Sequence, residues 1–271
     1  MEPLERQTKR VPAVTRAIAI LRFLGKSTEP LGVNQIAREL NLIPSTCLHI
    51  LRTLVEEELV AFDSVTKLYS LDAGILTLAH NVMRQNSFAE IIQPALNELS
   101  VRYGVTAIGV RVSGMRHMVV VAVSHMELPF RLHISVGSRF PALISATGRC
   151  FAAFGGHSWE DLVERFQSLK WEKPPTLEEW RLDIERTKET GYAIDYGNYI
   201  RGITIGSVPV LDSRDEMTHA IVAVGVSEQV KGDNLARMIK EMRKISGEVS
   251  KQLGGKGMAT SHATNSKTGK A

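Results

Sequence analysis

Four polar side chains close to residue 50 have types and spacing that suit contact with a nucleic acid. Each can donate a hydrogen bond, and they are Ser45, Thr46, His49 and Arg52. A helix can begin at Pro44, where the missing N–H of proline costs nothing, and helical spacing then places the four along its first turn and one face. Hydroxyls and free amides at a helix start suit a phosphate, while His49 and Arg52 could reach base edges or backbone in a DNA groove.

Three further cations could add phosphate contacts to this surface. Arg22 and Arg38 lie on neighbouring predicted elements, and Lys67 lies at the tip of a predicted hairpin. Overall charge does not decide the matter, because the net charge is only +4 and residues 1–72 hold nine basic and nine acidic side chains. The alternative is a solvated helix in a small helical bundle that binds no DNA.

A second candidate site is the predicted helix start at residues 145–148. Its residues are Ser145, Ala146, Thr147 and Gly148, and the helical spacing of apolar residues begins just after them. Small side chains there leave the amide groups uncovered, so this helix end could bind a carboxylate through hydrogen bonds and the helix dipole. Gly148 would allow a ligand to approach closely. The alternative is that Ser145 only caps the helix and Gly148 only packs.

Enzyme motifs are incomplete in this sequence. The segment Gly25-Lys26-Ser27 resembles the end of a phosphate-binding loop, but Ile20 stands where the first glycine is required. The eight histidines show no spacing typical of metal ligands, and no nucleophile, base and oxyanion donors come together. We therefore expect no cofactor, no metal and no catalysis. The alternative is an enzyme for a small acid with an appended DNA-binding domain, and a third hypothesis is a DNA architectural protein blind to sequence.

The elements that position the first site follow from the apolar periodicity. Apolar residues at helical spacing predict a helix from about Val14 to Gly25, a short second helix around Ile36, and a third from Pro44. Asn41 between the second and third helices tolerates the left-handed backbone of a tight turn. Residues 59–62 and 68–71 then form short extended runs, which indicate a β-hairpin. Three helices followed by a hairpin are typical of a winged helix-turn-helix.

The remainder of the chain predicts a second domain of the α+β class, with helices packed on one mostly antiparallel sheet. Strand-like runs rich in β-branched residues occupy residues 105–112, 118–123, 132–135, 203–210 and 220–226. A helix is expected over residues 176–190, opened by a capping box and ended by Gly191, and another over 235–249. The predicted organisation is a flexible N-terminus (1–10), a winged helix-turn-helix (11–72), a linker helix (73–86), a second domain (87–253) and a disordered tail (254–271).

Composition favours a reduced, cytoplasmic environment. Cys47 and Cys150 lie in apolar surroundings and are too few for a disulfide framework. The longest apolar run has seven residues, whereas about 20 are needed to cross a bilayer, and the charged N-terminus does not look like a secretory signal. We expect a cytoplasmic protein without a membrane partner.

Several motifs in order resemble the IclR-type transcriptional regulators. Residues 14–63 and 67–79 resemble the winged helix-turn-helix of that family. Two further matches are VGSRFPALISATGR (136–149) and GYAIDYGNYIRGITIGSVPV (191–210). The resemblance extends from about residue 11 to residue 253. It implies a homodimer or a dimer of dimers, which binds double-stranded operator DNA through the N-terminal domain and a small effector, often a carboxylate, through the C-terminal domain.

The resemblance also implies which residues contact the effector. The matching backbone amides are those of Ala146 and Thr147, Asp195 stands at an acidic pocket position, and Ile205 stands where many members have a cysteine facing the ligand. Because Ile205 cannot donate a hydrogen bond, a larger apolar or aromatic acid is favoured over a small keto acid. Three tyrosines could also line the pocket or simply pack, namely Tyr192, Tyr196 and Tyr199.

The chain departs from the family pattern at three places in the DNA-binding segment. Pro44 stands where the family often has Lys, Leu48-His49 where it often has His-Arg, and Glu58 where it usually has Gly. Base contacts made by the usual residues are therefore not transferred to this chain.

Overall fold

The computed structural model describes residues 11–84, 87–125 and 134–254. The chain divides into two compact units, Met1–Asn86 and Ser87–Ala271. The predicted flexible N-terminus (1–10) and nearly all of the predicted disordered tail lie outside the described residues. Every helix of the described residues is too short or too polar to span a bilayer.

The N-terminal unit is a winged helix-turn-helix followed by a further helix. Its elements are α1 (Pro12–Leu24), β1 (Leu31–Gly32), α2 (Val33–Glu39), α3 (Pro44–Glu56), β2 (Val60–Phe62), β3 (Leu68–Leu71) and α4 (Gly74–Arg84). The three strands form a small antiparallel sheet in the order β1-β3-β2. Its core joins the apolar sides of α1, α2 and α3 to the sheet, around the fully buried residues Ile20, Ile36 and Leu51.

Two turns that orient α3 use left-handed residues other than glycine. Asn41, between α2 and α3, has φ +52°, and the amide of Leu42 bonds back to the carbonyl of Ala37 at 2.8 Å. Glu58, between α3 and the wing, has φ +56°, and the amide of Leu59 bonds to the carbonyl of Leu54 at 2.9 Å. Both are helix C-terminal turns that usually favour glycine or asparagine. The turn into the wing therefore forms with Glu58, although its backbone is strained there.

The C-terminal unit belongs to the α+β class. Its helices are α5 (Ser87–Tyr103), α6 (Ser145–Phe154), α7 (Trp159–Gln167), α8 (Leu177–Thr190) and α9 (Gly232–Gln252). Its strands are β4 (Thr106–Ser113), β5 (His117–Val123), β6 (Arg139–Pro141), β7 (Ala193–Tyr196), β8 (Ile203–Leu211) and β9 (Met217–Val226). The strands form one antiparallel sheet in the order β6-β5-β4-β9-β8-β7. The predicted single antiparallel sheet packed with helices is confirmed.

The two faces of this sheet bury different helices because side chains alternate along each strand. On β9, Val222 and Val224 belong to the core that includes α6 and α8. Ile221 and Ala223 belong to the core that includes α5 and α9. Helices α6 and α5 therefore lie on opposite faces of one sheet.

Some predicted elements of this unit were wrong or missing. The expected strand at 132–135 is not formed by Ile134 and Ser135, and its first two residues lie outside the described part. The edge strand at this end of the sheet is β6 instead. Neither β7 nor α7 was predicted. The capping box of α8 is confirmed, since Thr176 and Glu179 exchange side-chain and backbone hydrogen bonds, and Gly191 ends the helix at φ +74°.

Candidate functional site

The first candidate site is the outer face of α3. Ile43 precedes the helix in an extended conformation, Pro44 is its first residue, and the amide of Cys47 closes the first turn on the carbonyl of Ile43 at 3.0 Å. Cys47, Leu51 and Leu54 are buried in the core of the unit. The predicted contact residues lie on the other side of the helix, where Ser45, His49 and Arg52 are exposed and Thr46 is half-buried. The polar edge predicted from the sequence is therefore present.

The additional predicted cations flank α3 from other elements. Arg22, on α1, and Arg38, in the last turn of α2, are exposed, and the guanidinium of Arg38 lies 3.5 Å from the carboxylate of Glu39 in a solvated pair. Lys67 is exposed in the wing, and its ammonium lies 5.8 Å from the ring centroid of Phe62. These cations are free to meet phosphates, since a solvated ion pair constrains Arg38 only weakly.

The turn of the wing is held by one carboxylate. Asp63 accepts a hydrogen bond from the amide of Val65 at 2.8 Å and a longer one from the amide of Thr66. Hydrogen bonds from the Thr66 side chain and from these two amides lower the pKa of Asp63 below its ordinary value. The carboxylate therefore fixes the loop that presents Lys67 at the wing tip.

The second candidate site is the buried start of α6. Ser145 is its first residue and has φ +61°, which strains any residue other than glycine. Its side chain is not a helix cap, because Ile144 occupies the cap position and no side-chain cap bond forms. The first helical bond runs from the amide of Gly148 to the carbonyl of Ile144 at 2.9 Å, so the amides of Ser145, Ala146 and Thr147 precede it.

Gly148 has a packing role in this structure. A Cβ atom on Gly148 would lie 2.0 Å from the carbonyl carbon of Leu143 and 2.1 Å from its oxygen. The close approach that the missing side chain permits is therefore made by the chain's own backbone, as the packing alternative expected.

A buried, unpartnered hydroxyl lies at the start of α6. It belongs to Ser145, whose Oγ has no hydrogen-bond partner among the described residues. Native proteins satisfy most buried polar groups, so this hydroxyl is available to a polar ligand.

The sheet beneath α6 presents two apolar and two polar side chains in one row. Asp195, Ile205, Val224 and Thr106 are direct neighbours on β7, β8, β9 and β4, so their side chains share one face. The face is that of α6, because the Arg149 side chain of α6 contacts Asp195. The structure thus brings the predicted residues Asp195 and Ile205 together beneath the helix that carries Ala146 and Thr147.

A buried arginine network at this site was not predicted. Arg149 is 2% exposed, and its Nε lies 2.8 Å from Oδ2 of Asp183 on α8, while its Nη1 lies 3.2 Å from Oδ2 of Asp195 on β7. Its third contact is Nη2 to Oδ1 of Asn198 at 3.3 Å, and the guanidinium lies 5.9 Å from the Trp171 ring centroid. The acids lie 34 and 46 positions further along the chain, and no local pattern relates such distant partners.

Asp195 is fully buried, and its carboxylate accepts hydrogen bonds from three donors. Besides Arg149 Nη1, it accepts from the amide of Asn198 at 2.9 Å and from the amide of Tyr199 at 3.3 Å. One side chain thus ties α6, β7 and the turn after β7 together. Removing the arginine would leave a buried charge, which makes the pair essential to the geometry of the site.

The three tyrosines near Asp195 do not share one face. Tyr199 packs partly buried against the core beneath α6. Tyr192 packs against the opposite core, and Tyr196 lines a groove beside α9 with 68% of its side chain exposed. Tyr192 and Tyr196 therefore do not pack beneath α6 with Tyr199, and the idea that all three line one pocket was wrong.

The described residues give no support to catalysis by a thiol or a metal. Cys150 is enclosed, and burial raises the pKa of its thiol to about 12, so no thiolate nucleophile forms at neutral pH. In the described ranges, no group of three or more His, Cys, Asp or Glu side chains could hold a metal ion.

Comparison with known families covers both units. A model described as the IclR helix-turn-helix domain matches residues 13–64. A second one, described as the C-terminal part of the bacterial transcriptional regulator IclR, matches residues 80–251. The chain belongs to the IclR family of bacterial transcriptional regulators. It is thus a transcriptional regulator with a helix-turn-helix DNA-binding domain, and it is not an enzyme.

Relatives of this IclR-family regulator align over nearly its whole length. The transcriptional repressor AllR of Salmonella typhi is 23% identical over 251 residues, covering 91% of each chain. The glycerol operon regulatory protein of Streptomyces coelicolor is 25% identical and covers 91% of this chain and 98% of its own. The IclR regulator structure from Alicyclobacillus acidocaldarius superimposes with a TM-score of 0.76 at 25% identity, covering 90% of this chain and all of its own.

Proposed function

We propose that this IclR-family regulator responds to a small carboxylic acid bound at the start of α6 and binds operator DNA through α3 and the wing. The proposal that the chain binds operator DNA rests on one observation, which is the exposed polar edge of α3 with the exposed cations Arg38 and Lys67 on neighbouring elements. The proposed division of the chain is the predicted one, with DNA binding in residues 11–72, a linker helix in 73–86 and effector binding in 87–253.

Arg52 is proposed to read bases, so its removal should act selectively. At physiological salt, we expect Arg52→Ala to weaken retention of fragments selected from the source genome by about tenfold or more, and to weaken retention of unrelated DNA much less. The measurement is competition binding with both kinds of duplex. Arg181→Ala, which removes an exposed arginine of α8, is the matched control and should change neither.

Equal loss on all DNA would instead favour the sequence-blind architectural hypothesis. Failure of the unmodified protein to prefer any genomic fragment would contradict operator binding altogether.

Support for the effector site comes from three neighbouring features of the C-terminal unit. The amides of Ser145, Ala146 and Thr147 open a buried helix, where they and the helix dipole favour a carboxylate. The unpartnered hydroxyl of Ser145 offers a further hydrogen bond. Ile205 and Val224 make the adjacent floor apolar, and Asp195 is already neutralised by Arg149, so an acid with an apolar or aromatic body fits best.

The variant Ser145→Ala tests the proposal that a carboxylic acid binds at the start of α6. We expect the concentration of an effective acid needed to change DNA retention to rise about five- to tenfold, because one buried hydrogen bond to the ligand is lost. A panel of aliphatic, aromatic and keto acids, added to protein bound to its selected fragments, identifies the acid, and chromatography of the mixture checks that none is converted.

A matched control exists on the other face of the sheet. Ser100 of α5 is also buried with an unpartnered hydroxyl, so Ser100→Ala should alter stability similarly and leave the response to the acid unchanged. An unchanged response in Ser145→Ala would contradict a ligand at the start of α6.

Self-association is proposed through the outer sides of α1 and α4. Large apolar side chains are exposed on these helices, at Val14 and Ile18 of α1 and at Leu76 and Leu78 of α4, and Val11 just before α1 is exposed as well. Pairing of subunits would set two copies of α3 against half-sites about 34 Å apart or a multiple of it. An acid that prefers one arrangement of the subunits would shift this pairing, with a typical coupling of about 1–3 kcal/mol.

A further inference from the structure

Ile43 is a large apolar residue that the structure leaves in solvent at the front of α3. Its side chain is 68% exposed, although the side chains of its helix at Cys47, Leu51 and Leu54 are buried. It directly precedes Pro44 and Ser45, at the end of α3 that carries the candidate contact residues. Single exposed apolar residues are common, so the position of Ile43 rather than its exposure alone requires an explanation.

The backbone of Ile43 is fixed on both sides. Its own carbonyl accepts the amide of Cys47 at 3.0 Å, and the preceding Leu42 is tied to Ala37 by a bond of 2.8 Å. Its φ of −68° and ψ of 131° are unstrained, and Pro44 further restricts them. A β-branched side chain has few rotamers, so ordering Ile43 against a partner costs little entropy. The side chain is thus presented in a nearly fixed place.

The surroundings of Ile43 point to DNA as the partner. Exposed donors and cations follow it on α3, at Ser45, His49 and Arg52, which is unsuited to an apolar protein surface. The exposed apolar side chains proposed for self-association belong to α1 and α4, whereas Ile43 directly precedes α3.

The side chains at the front of α3 are apolar where Ile43 and Pro44 lie, because neither the isoleucine nor the proline side chain has a polar atom. These two side chains can bond neither a phosphate nor a base acceptor. The apolar group that the major groove displays is the C5-methyl group of thymine. We infer that Ile43 contacts the methyl group of one thymine in each half-site and thereby determines specificity, an inference that rests on the proposed binding of operator DNA.

The test uses DNA from which only that methyl group is removed. Duplexes are first selected from a random-sequence library with the full-length protein, and each thymine of the consensus is then replaced in turn by deoxyuridine, which pairs identically. At one position in each half-site we expect the affinity for DNA to fall about fourfold, which corresponds to the free energy of burying one methyl group. With Ile43→Ser, binding to the thymine duplex should be weaker, and the difference between thymine and deoxyuridine at that position should disappear.

Val101→Ser is the matched control, since it replaces a 60% exposed apolar residue of α5, outside the DNA-binding unit. It should keep the full sensitivity to deoxyuridine at that position. Circular dichroism and the oligomeric state of Ile43→Ser should match those of the unmodified protein.

Three outcomes are decisive. If no duplex is selected from the library, operator binding itself fails. If duplexes are selected but no deoxyuridine weakens binding, or if Ile43→Ser keeps the sensitivity, operator binding stands and the role of Ile43 is overturned. A change of oligomeric state in Ile43→Ser would assign the side chain to a protein contact instead.

Discussion

We expect Gly148→Ala to lower the free energy of unfolding of the C-terminal unit by about 3 kcal/mol or more. The added Cβ would lie 2.0 Å from the carbonyl carbon of Leu143, and backbone cannot move aside as a flexible side chain can. Moving α6 away from Leu143 would also separate it from β7 and β8. The measurement is urea unfolding followed by tryptophan fluorescence, because all three tryptophans, Trp159, Trp171 and Trp180, belong to this unit.

Gly247→Ala is the matched control for this substitution. Gly247 lies inside α9, and a Cβ there would meet no atom within 4 Å among the described residues. Alanine is the better helix former, so this variant should be more stable by about 0.5–1 kcal/mol. If Gly148→Ala behaved like Gly247→Ala, the close contact between α6 and the carbonyl of Leu143 would not exist in solution.

Arg149→Met should destabilise the same unit by about 3–5 kcal/mol. Methionine has a similar length to arginine but carries no charge. The carboxylate of Asp195, whose side chain is 0% exposed, would keep two backbone amides as donors and would have no cation beside it. Asp183 loses less, because one third of its side chain is exposed and water can replace the guanidinium. The same urea titration by tryptophan fluorescence measures the loss.

Two further variants separate burial of charge from loss of packing. Arg181→Met removes an exposed arginine whose Nε lies 3.1 Å from Glu185 on the same helix, and it should have little effect because both side chains are solvated. The double variant Arg149→Met/Asp195→Leu should recover part of the lost stability, since no fully buried charge is then left without a cation. If Arg149→Met cost no more than Arg181→Met, the buried network would contribute nothing.

The contact edge predicted for α3 coincides with the exposed polar face of that helix, because both depend on the spacing along one helix. Spacing by three and four residues decides which side chains share a helix face, so burial of Cys47 and Leu51 places His49 and Arg52 outside. The same kind of local information gave the wing and the capping box of α8. Ile43 was missed because an apolar residue next to a helix start is normally expected to be buried.

The start of α6 has structural features that the local sequence pattern does not predict. The small residues at 145–148 correctly predicted a helix start, yet nothing local indicates that Ser145 adopts φ +61° or that Gly148 contacts Leu143. The short strand β7 carries too few β-branched residues to be recognised, and it exists because β8 supplies its hydrogen bonds.

Periodicity and turn chemistry act within a few residues, and they are enough to predict the order and type of most elements, the winged helix-turn-helix and the exposed face of α3. The contacts of Arg149 with Asp183 and Asp195, and the opposite faces of Tyr192 and Tyr199, could not be predicted in this way. They join or separate residues tens of positions apart, and only the pairing of strands and the packing of helices on them brings such residues together.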